Sequence, residues 1–193
     1  MPKDTENLIA GASRGDDGAI AELLVRHLPV LRAYIRLRMG PRIRRWDSEQ
    51  DVAQSVCRQA LEDLEAFTYR GEAAFREWLF TMARRKLADR DAYLTAEKRD
   101  VDRIANNAAS AQSFAAEVHA AFGTPSEFAV RAETVARIEA ALDDLPEEAR
   151  EVILLSRLAG LSTTEIAERL GKAPSSVRSM LSRALARLSR ALS

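Results

Sequence analysis

Apolar positions recur at intervals of three and four along most of the chain. Between Leu8 and Arg38 they fall at Leu23, Leu24, His27, Leu28, Leu31, Ile35 and Leu37, one stripe on a core-facing helix. Gly40 and Pro41 end it, and Asp47-Ser48-Glu49 supplies the N-cap region of a second helix with Val52, Val56, Ala60, Leu61 and Leu64 on one side. Thr68 to Glu72 reads as a short turn around Gly71. A third helix runs from about Ala74 past Leu87, with Phe75, Trp78, Leu79, Met82 and Leu87 apolar. Three such helices predict a compact N-terminal bundle.

The stretch from Val101 to Arg131 is alanine-rich, weakly periodic and contains Gly123-Thr124-Pro125, so it reads as a linker, partly helical. A further amphipathic region begins at Glu133 with Val135, Ile138, Ala141 and Leu142, and Pro146 opens the next helix at its first turn. No strand-like alternation occurs. The expected fold is all-α, with helical domains over residues 1–100 and 132–193 joined by a linker over 101–131.

The segment from Leu145 to the C-terminus reads as a helix-turn-helix. Ser162 and Glu165 form a capping box, Ile166, Ala167 and Leu170 point inward, and Gly171 permits a tight turn. A second helix starts near Pro174-Ser175 and buries Val177, Leu181, Ala184, Leu185 and Leu188. Its opposite face carries Ser175, Ser176, Arg178, Ser179, Ser182 and Arg183. Short hydroxyls and arginines at the start of a helix suit a DNA major groove, where they contact base edges or phosphates. An ordinary helical hairpin with a polar outer face is the alternative.

Composition narrows the function. The 29 basic and 29 acidic residues cancel, so there is no bulk attraction to nucleic acid or to an anionic membrane. The charges are segregated, however: Arg26, Arg32, Arg36, Arg38, Arg42, Arg44 and Arg45 fall in an acid-free stretch, while Glu139 to Glu168 holds eight acids and two arginines. Such blocks are usually solvated helix faces. Cys57, His27 and His119 offer no metal-ligand spacing, and neither a glycine-rich phosphate loop nor a nucleophile beside a base is present, so no cofactor, metal or enzyme activity is expected. With no signal-like N-terminus and no long apolar run, the expected location is the cytoplasm.

In both halves and in the right order, the sequence resembles the extracytoplasmic-function group of bacterial sigma factors. The C-terminal half is similar to their region four, which recognises the minus-thirty-five promoter element, through Leu145-Pro146-Glu147-Glu148, Gly160-Leu161-Ser162, Glu165-Ile166-Ala167, Leu170-Gly171 and Val177-Arg178-Ser179. Asp51-Val52-Ala53-Gln54 with Arg58, Leu61 and Phe67 looks like region two, whose helix docks on the clamp of core RNA polymerase. The resemblance assigns Asp51, Gln54 and Arg58 to that docking. Residues Tyr69 to Leu79 are similar to the loop and helix that capture a flipped base of the minus-ten element. Tyr69, Arg70 and Arg76 are the candidates there, and Arg84, Arg85 and Lys86 could hold the single strand's phosphates or simply be solvated. Phe75, Trp78 and Leu79 fit core packing better than base contact.

Two departures from the family pattern stand out. Asp89, Arg90 and Asp91 follow Arg85 where many relatives have an asparagine and an arginine-rich helix end. Met180 replaces a frequent basic residue, which shifts the minus-thirty-five contact toward Arg178 and Arg183. The resemblance implies core RNA polymerase and promoter DNA as partners, with an anti-sigma factor as a further candidate. The competing reading is a stand-alone helix-turn-helix regulator that binds a palindrome as a dimer.

Overall fold

The structure, a computed structural model, describes residues 8, 11, 16–63, 67, 71–97 and 128–192, which are helical with no strand. Helix α1 spans Asp17–Arg38, α2 Pro41–Arg44, α3 Glu49–Glu62 and α4 Glu72–Glu97. The C-terminal half contributes α5 (Phe128–Asp143), α6 (Glu147–Leu154), α7 (Thr163–Leu170) and α8 (Pro174–Leu192). A π-helical turn, Leu155–Ala159, extends α6 and ends at Gly160, whose φ of 73° suits a residue without a side chain.

Local sequence sets most of the boundaries. Asp16 caps α1 by accepting hydrogen bonds from the backbone N–H groups of Gly18 and Ala19 at 2.9 and 3.3 Å. The expected single helix from Leu8 is therefore interrupted at Asp16. Pro41 starts the short helix α2 immediately after the break that Gly40 introduces. Ser48 caps α3, within the expected trio. Helix α4 begins at Glu72, earlier than Ala74, so Glu72 belongs to the helix and not to the turn. Helix α5 begins at Phe128, inside the stretch read as linker, and Pro146 is the N-cap of α6.

Helices α1, α3 and α4 pack on one another around Leu31, Tyr34, Leu37, Ala53, Val56, Phe75, Leu79 and Phe80, all nearly inaccessible to solvent. Tyr34 and Phe80 stack at 4.0 Å between ring centroids. Phe75 and Leu79 are core residues as expected, and Trp78 is covered by Phe67 at 4.3 Å. Leu61 was expected on the inner stripe of α3 but is 51% exposed. Ala60, one residue earlier, is buried, so the covered stripe of this last turn runs through Ala60 and leaves Leu61 on the outer side.

In the C-terminal half, α8 packs across α5, α6 and α7 and buries Val177, Ala184 and Leu188; Leu181 and Leu185 are half-buried. The capping box forms: Ser162 N–H donates to Glu165 at 2.7 Å, and Glu165 N–H donates to the Ser162 hydroxyl at 3.2 Å. These bonds to Ser162 hold the Glu165 carboxyl below the usual carboxylate range. Gly171, with φ of 63°, makes the turn between α7 and α8.

The two halves share one apolar core, because α6 and the π-helical turn lie on α1 and α4. The segregated charges meet at this junction. Arg36 pairs with Glu139, Arg38 with Glu147 and Glu151, and Arg44 with Asp143. Solvated faces were the expectation for these blocks; instead Arg36, Arg38 and Arg44 find their counter-ions in the acidic block, most of these groups being partly withdrawn from water, while Arg26, Arg32 and Arg42 pair within the N-terminal half.

His27 is buried against Phe75, and its Nε2 has no hydrogen-bond partner among the described residues. Burial lowers its pKa below 6.5, with Glu72 opposing and Arg76 and Arg26 reinforcing the shift. Because the folded value lies below the unfolded one, acidification from about pH 7 through about 6.5 protonates the unfolded chain first and reduces stability. The loss levels off below the folded pKa. Thermal unfolding across this range should show that decline in the wild type and a flatter profile in His27→Leu. Ser162→Ala should lower unfolding stability in denaturant titration by about 1 kcal/mol through loss of the cap, with Ser162→Asp retaining most of it.

Candidate nucleic-acid and polymerase interfaces

On α8 the residues expected to face DNA form one continuous surface. Ser175, Ser176, Arg178, Ser179, Ser182 and Arg183 are all exposed, while the stripe behind them is buried. The capped α7 and the Gly171 turn lead into the N-terminal end of this helix, where Ser175, Ser176 and Ser179 of its first two turns are exposed. Arg178 makes no side-chain hydrogen bond or ion pair among the described residues, whereas Arg183 Nε donates to the Ser179 carbonyl at 3.3 Å. Met180, the apolar departure, turns away from the exposed face. It lines a groove of 330 Å³ with Leu145, Pro146 and Ala149, which gives a packing reason for a methionine there.

Asp51, Gln54 and Arg58 lie along one exposed edge of α3. Asp51 also serves its own helix: the Ser48 hydroxyl donates to its carboxylate at 2.7 Å, and its backbone N–H donates to Ser48 Oγ at 3.1 Å. Next to it is a groove of 440 Å³ formed by Asp47, Asp51, Val52 and Ser55 from the start of α3 and by Lys86, Asp89, Arg90 and Tyr93 from α4. Tyr93 is 52% exposed and has the Arg90 guanidinium over its ring at 5.2 Å, while Arg90 donates to Asp47 at 2.6 Å. Tyr93 and Trp46 are large exposed aromatic residues that the sequence pattern did not single out. Neither position stands out by spacing, and only the packing shows how far each ring is exposed.

Tyr69 and Arg70 lie outside the described residues. Arg76 is half-buried, with an unpartnered Nε, and its guanidinium reaches Gly160 of the C-terminal half. Arg84, Arg85 and Lys86 do not share a face, because consecutive helical residues are turned by about 100°. Arg84 lines a cavity of 490 Å³ between the two halves, beside Arg38, Ile43, Leu145, Glu147 and Arg150. Arg85 is exposed, and Lys86 belongs to the Asp51 groove. Neighbouring Glu77 and Thr81 of α4 both bind Arg169 of α7, the Thr81 hydroxyl at 2.7 Å.

Cys57 is half-buried, and burial raises its thiol pKa. Among the described residues no group of three or more His, Cys, Asp and Glu side chains could hold a metal ion.

The family model for sigma-70, region 4, matches residues 136–188, which covers α6, α7 and most of α8. The ECF RNA polymerase sigma factor SigD of Mycobacterium tuberculosis is 33% identical over 181 residues, 94% of this chain and 80% of that protein. The ECF RNA polymerase sigma factor ShbA of Streptomyces griseus is 30% identical over 193 residues, 96% of each chain. Among solved structures, CnrH in complex with the cytosolic domain of CnrY superposes with a TM-score of 0.58 at 27% identity, covering 96% of this chain and 94% of that one. The sigma factor RpoE in complex with the anti-sigma factor NepR from Bartonella quintana shares the fold, with a TM-score of 0.60 at 22% identity over 89% and 95% of the two chains. With this similarity running through both halves, the chain belongs to the extracytoplasmic-function RNA polymerase sigma factors, the proteins that direct transcription initiation.

Proposed function

We propose a division of labour for this sigma factor in which residues 1–100 bind core polymerase and the minus-ten element and residues 132–193 bind the minus-thirty-five element. The observation that carries it is the α8 surface, six exposed serines and arginines backed by a buried stripe. The serines allow close approach to the groove floor, and Arg178 supplies a free guanidinium for guanine or phosphate. Asp51, Gln54 and Arg58 form the docking edge for polymerase, where a carboxylate and an amide match arginines on a partner helix. Tyr69, Arg70 and Arg76 capture a base of the opened strand, and Arg84, Arg85 and Lys86 hold its phosphates.

Balanced total charge supports dependence on polymerase. A solitary DNA binder derives most of its affinity from counter-ion release by clustered cations, and here a large share of the arginines is already paired with carboxylates. Sigma action requires no catalysis by the chain itself, and its work lies in the cytoplasm with the chromosome. Among the described residues no helix is long and apolar enough to cross a membrane. The solved structures of RpoE with NepR and of CnrH with CnrY support an anti-sigma factor as regulator here too.

Purified core polymerase, with and without this chain, on a promoter library should give new initiated transcripts only when the chain is added. Footprints on a palindrome without polymerase, and no new transcripts, would favour a dimeric regulator. Gln54→Ala combined with Asp51→Asn, which keeps the helix cap, should weaken core binding about tenfold, equivalent to about 1.4 kcal/mol. Arg178→Ala should leave core affinity intact and reduce upstream promoter affinity by about tenfold. Equal losses of core affinity in both variants would contradict the division.

A further inference from the structure

The run Asp89-Arg90-Asp91 departs from an arginine-rich helix end, and two of its members hold α4 in place. Arg90 donates to Asp47 at 2.6 Å, and Asp91 pairs with Arg42 at 3.5 Å. Arg42 also donates to the Thr95 hydroxyl. The last turns of α4 are thereby tied to α2 and to the residues leading into α3, beside the groove of 440 Å³. Asp89 has a different setting. It is exposed in that groove and makes no hydrogen bond or ion pair among the described residues, and the same holds for Lys86.

Charge decides what the groove can take. Its lining holds three carboxylates, Asp47, Asp51 and Asp89, against two cations, Lys86 and Arg90, and Arg90 is already paired with Asp47. A nucleic-acid phosphate would therefore meet a surface of its own sign. A cationic side chain on an apolar stem fits instead. Asp51 and Asp89 can receive its charged head, while Val52 and the half-exposed Tyr93 ring flank the stem. We propose that this groove is a second contact for core polymerase, in which α4 takes an arginine or lysine presented by the partner. It rests on the reading of the Asp51 edge as the docking surface, because Asp51 belongs to both and the groove carries that edge from α3 onto α4. Lys86 alone of the strand-binding candidates reaches the lining and marks the boundary between the two surfaces. The departure at the end of α4 thus exchanges a phosphate-binding helix end for one that binds protein.

The test measures the affinity of the fluorescently labelled full-length chain for core polymerase. Asp89→Lys, which leaves the pair of Arg90 and Asp47 in place, should weaken binding about fivefold, and the loss should shrink as added salt screens the reversed charge. Tyr93→Ala should weaken it several-fold as well. Circular dichroism that matches the wild type in both variants shows that the helices survive. Wild-type core affinity in both would overturn the proposal. A higher affinity of the Asp89→Lys holoenzyme for promoter DNA, at unchanged core affinity, would also overturn it and assign the groove to nucleic acid. The variant combining Asp51→Asn with Gln54→Ala separates the groove from the docking edge. A loss confined to that variant removes the groove and leaves the edge standing, whereas losses confined to Asp89→Lys and Tyr93→Ala keep the groove and remove the edge.

Discussion

The Glu151 carboxylate, 4% exposed, is the point on which the arrangement of the halves depends. The Tyr34 hydroxyl lies 3.1 Å from both of its oxygens, and Arg38 Nε donates to one of them at 3.1 Å. Removing a carboxylate from water costs several kcal/mol, so the group tolerates this position only while both partners are present. Burial, reinforced by Glu151, pushes the Tyr34 phenol far above its ordinary range and keeps it a donor. For Arg38, burial works against the charge, but hydrogen bonding to Glu147 and the field of Glu151 outweigh it and raise the pKa. The contact adds less net stability than apolar packing of equal area would. What it contributes is orientation: sliding α6 along α1 by one turn would strand the charge.

That orientation links packing to function. Tyr34 belongs to the N-terminal core through its stack with Phe80 of α4, so the same ring that organises the bundle also receives the C-terminal half. The π-helical turn after α6 places Leu155, Leu158 and Ala159 in the shared core and delivers Gly160 to Arg76. Helix α8 is on the far side of α6 and α7, which is why its serines and arginines stay exposed. This packing leaves the polar face of α8 open to solvent and places Arg76 against the C-terminal half. The edge of α3 that carries Asp51, Gln54 and Arg58 is also open to solvent.

Much of the architecture was readable from local chemistry. Ser48, Ser162 with Glu165, and Gly171 mark helix boundaries because caps and left-handed turns require particular side chains within a few residues, and the structure uses each of them. The apolar stripe of α8 and its polar reverse followed from helical periodicity alone, as did the burial of His27, Phe75 and Leu79. Leu61 and the break at Asp16 were misread because periodicity does not reveal how wide a face the neighbouring helices cover or where a helix restarts. Met180 looked like a lost phosphate contact, yet it fills the wall of a groove formed with α6.

Sequence by itself determined most of the helices, the caps at Ser48 and Ser162, the family to which the chain belongs and the polar face of α8, since each depends on residues close together along the chain. Tertiary structure alone decided that the arginine block near the N-terminus and the acidic block near residue 150 are partners. It alone placed Arg84 at the cavity between the halves and Lys86 in the groove beside Asp51, and left Tyr93 and Trp46 partly exposed. The physical reason is range. Caps, turns and helical periodicity act over one or two turns, whereas a charge block is solvated or neutralised according to what a segment about a hundred residues away brings to it.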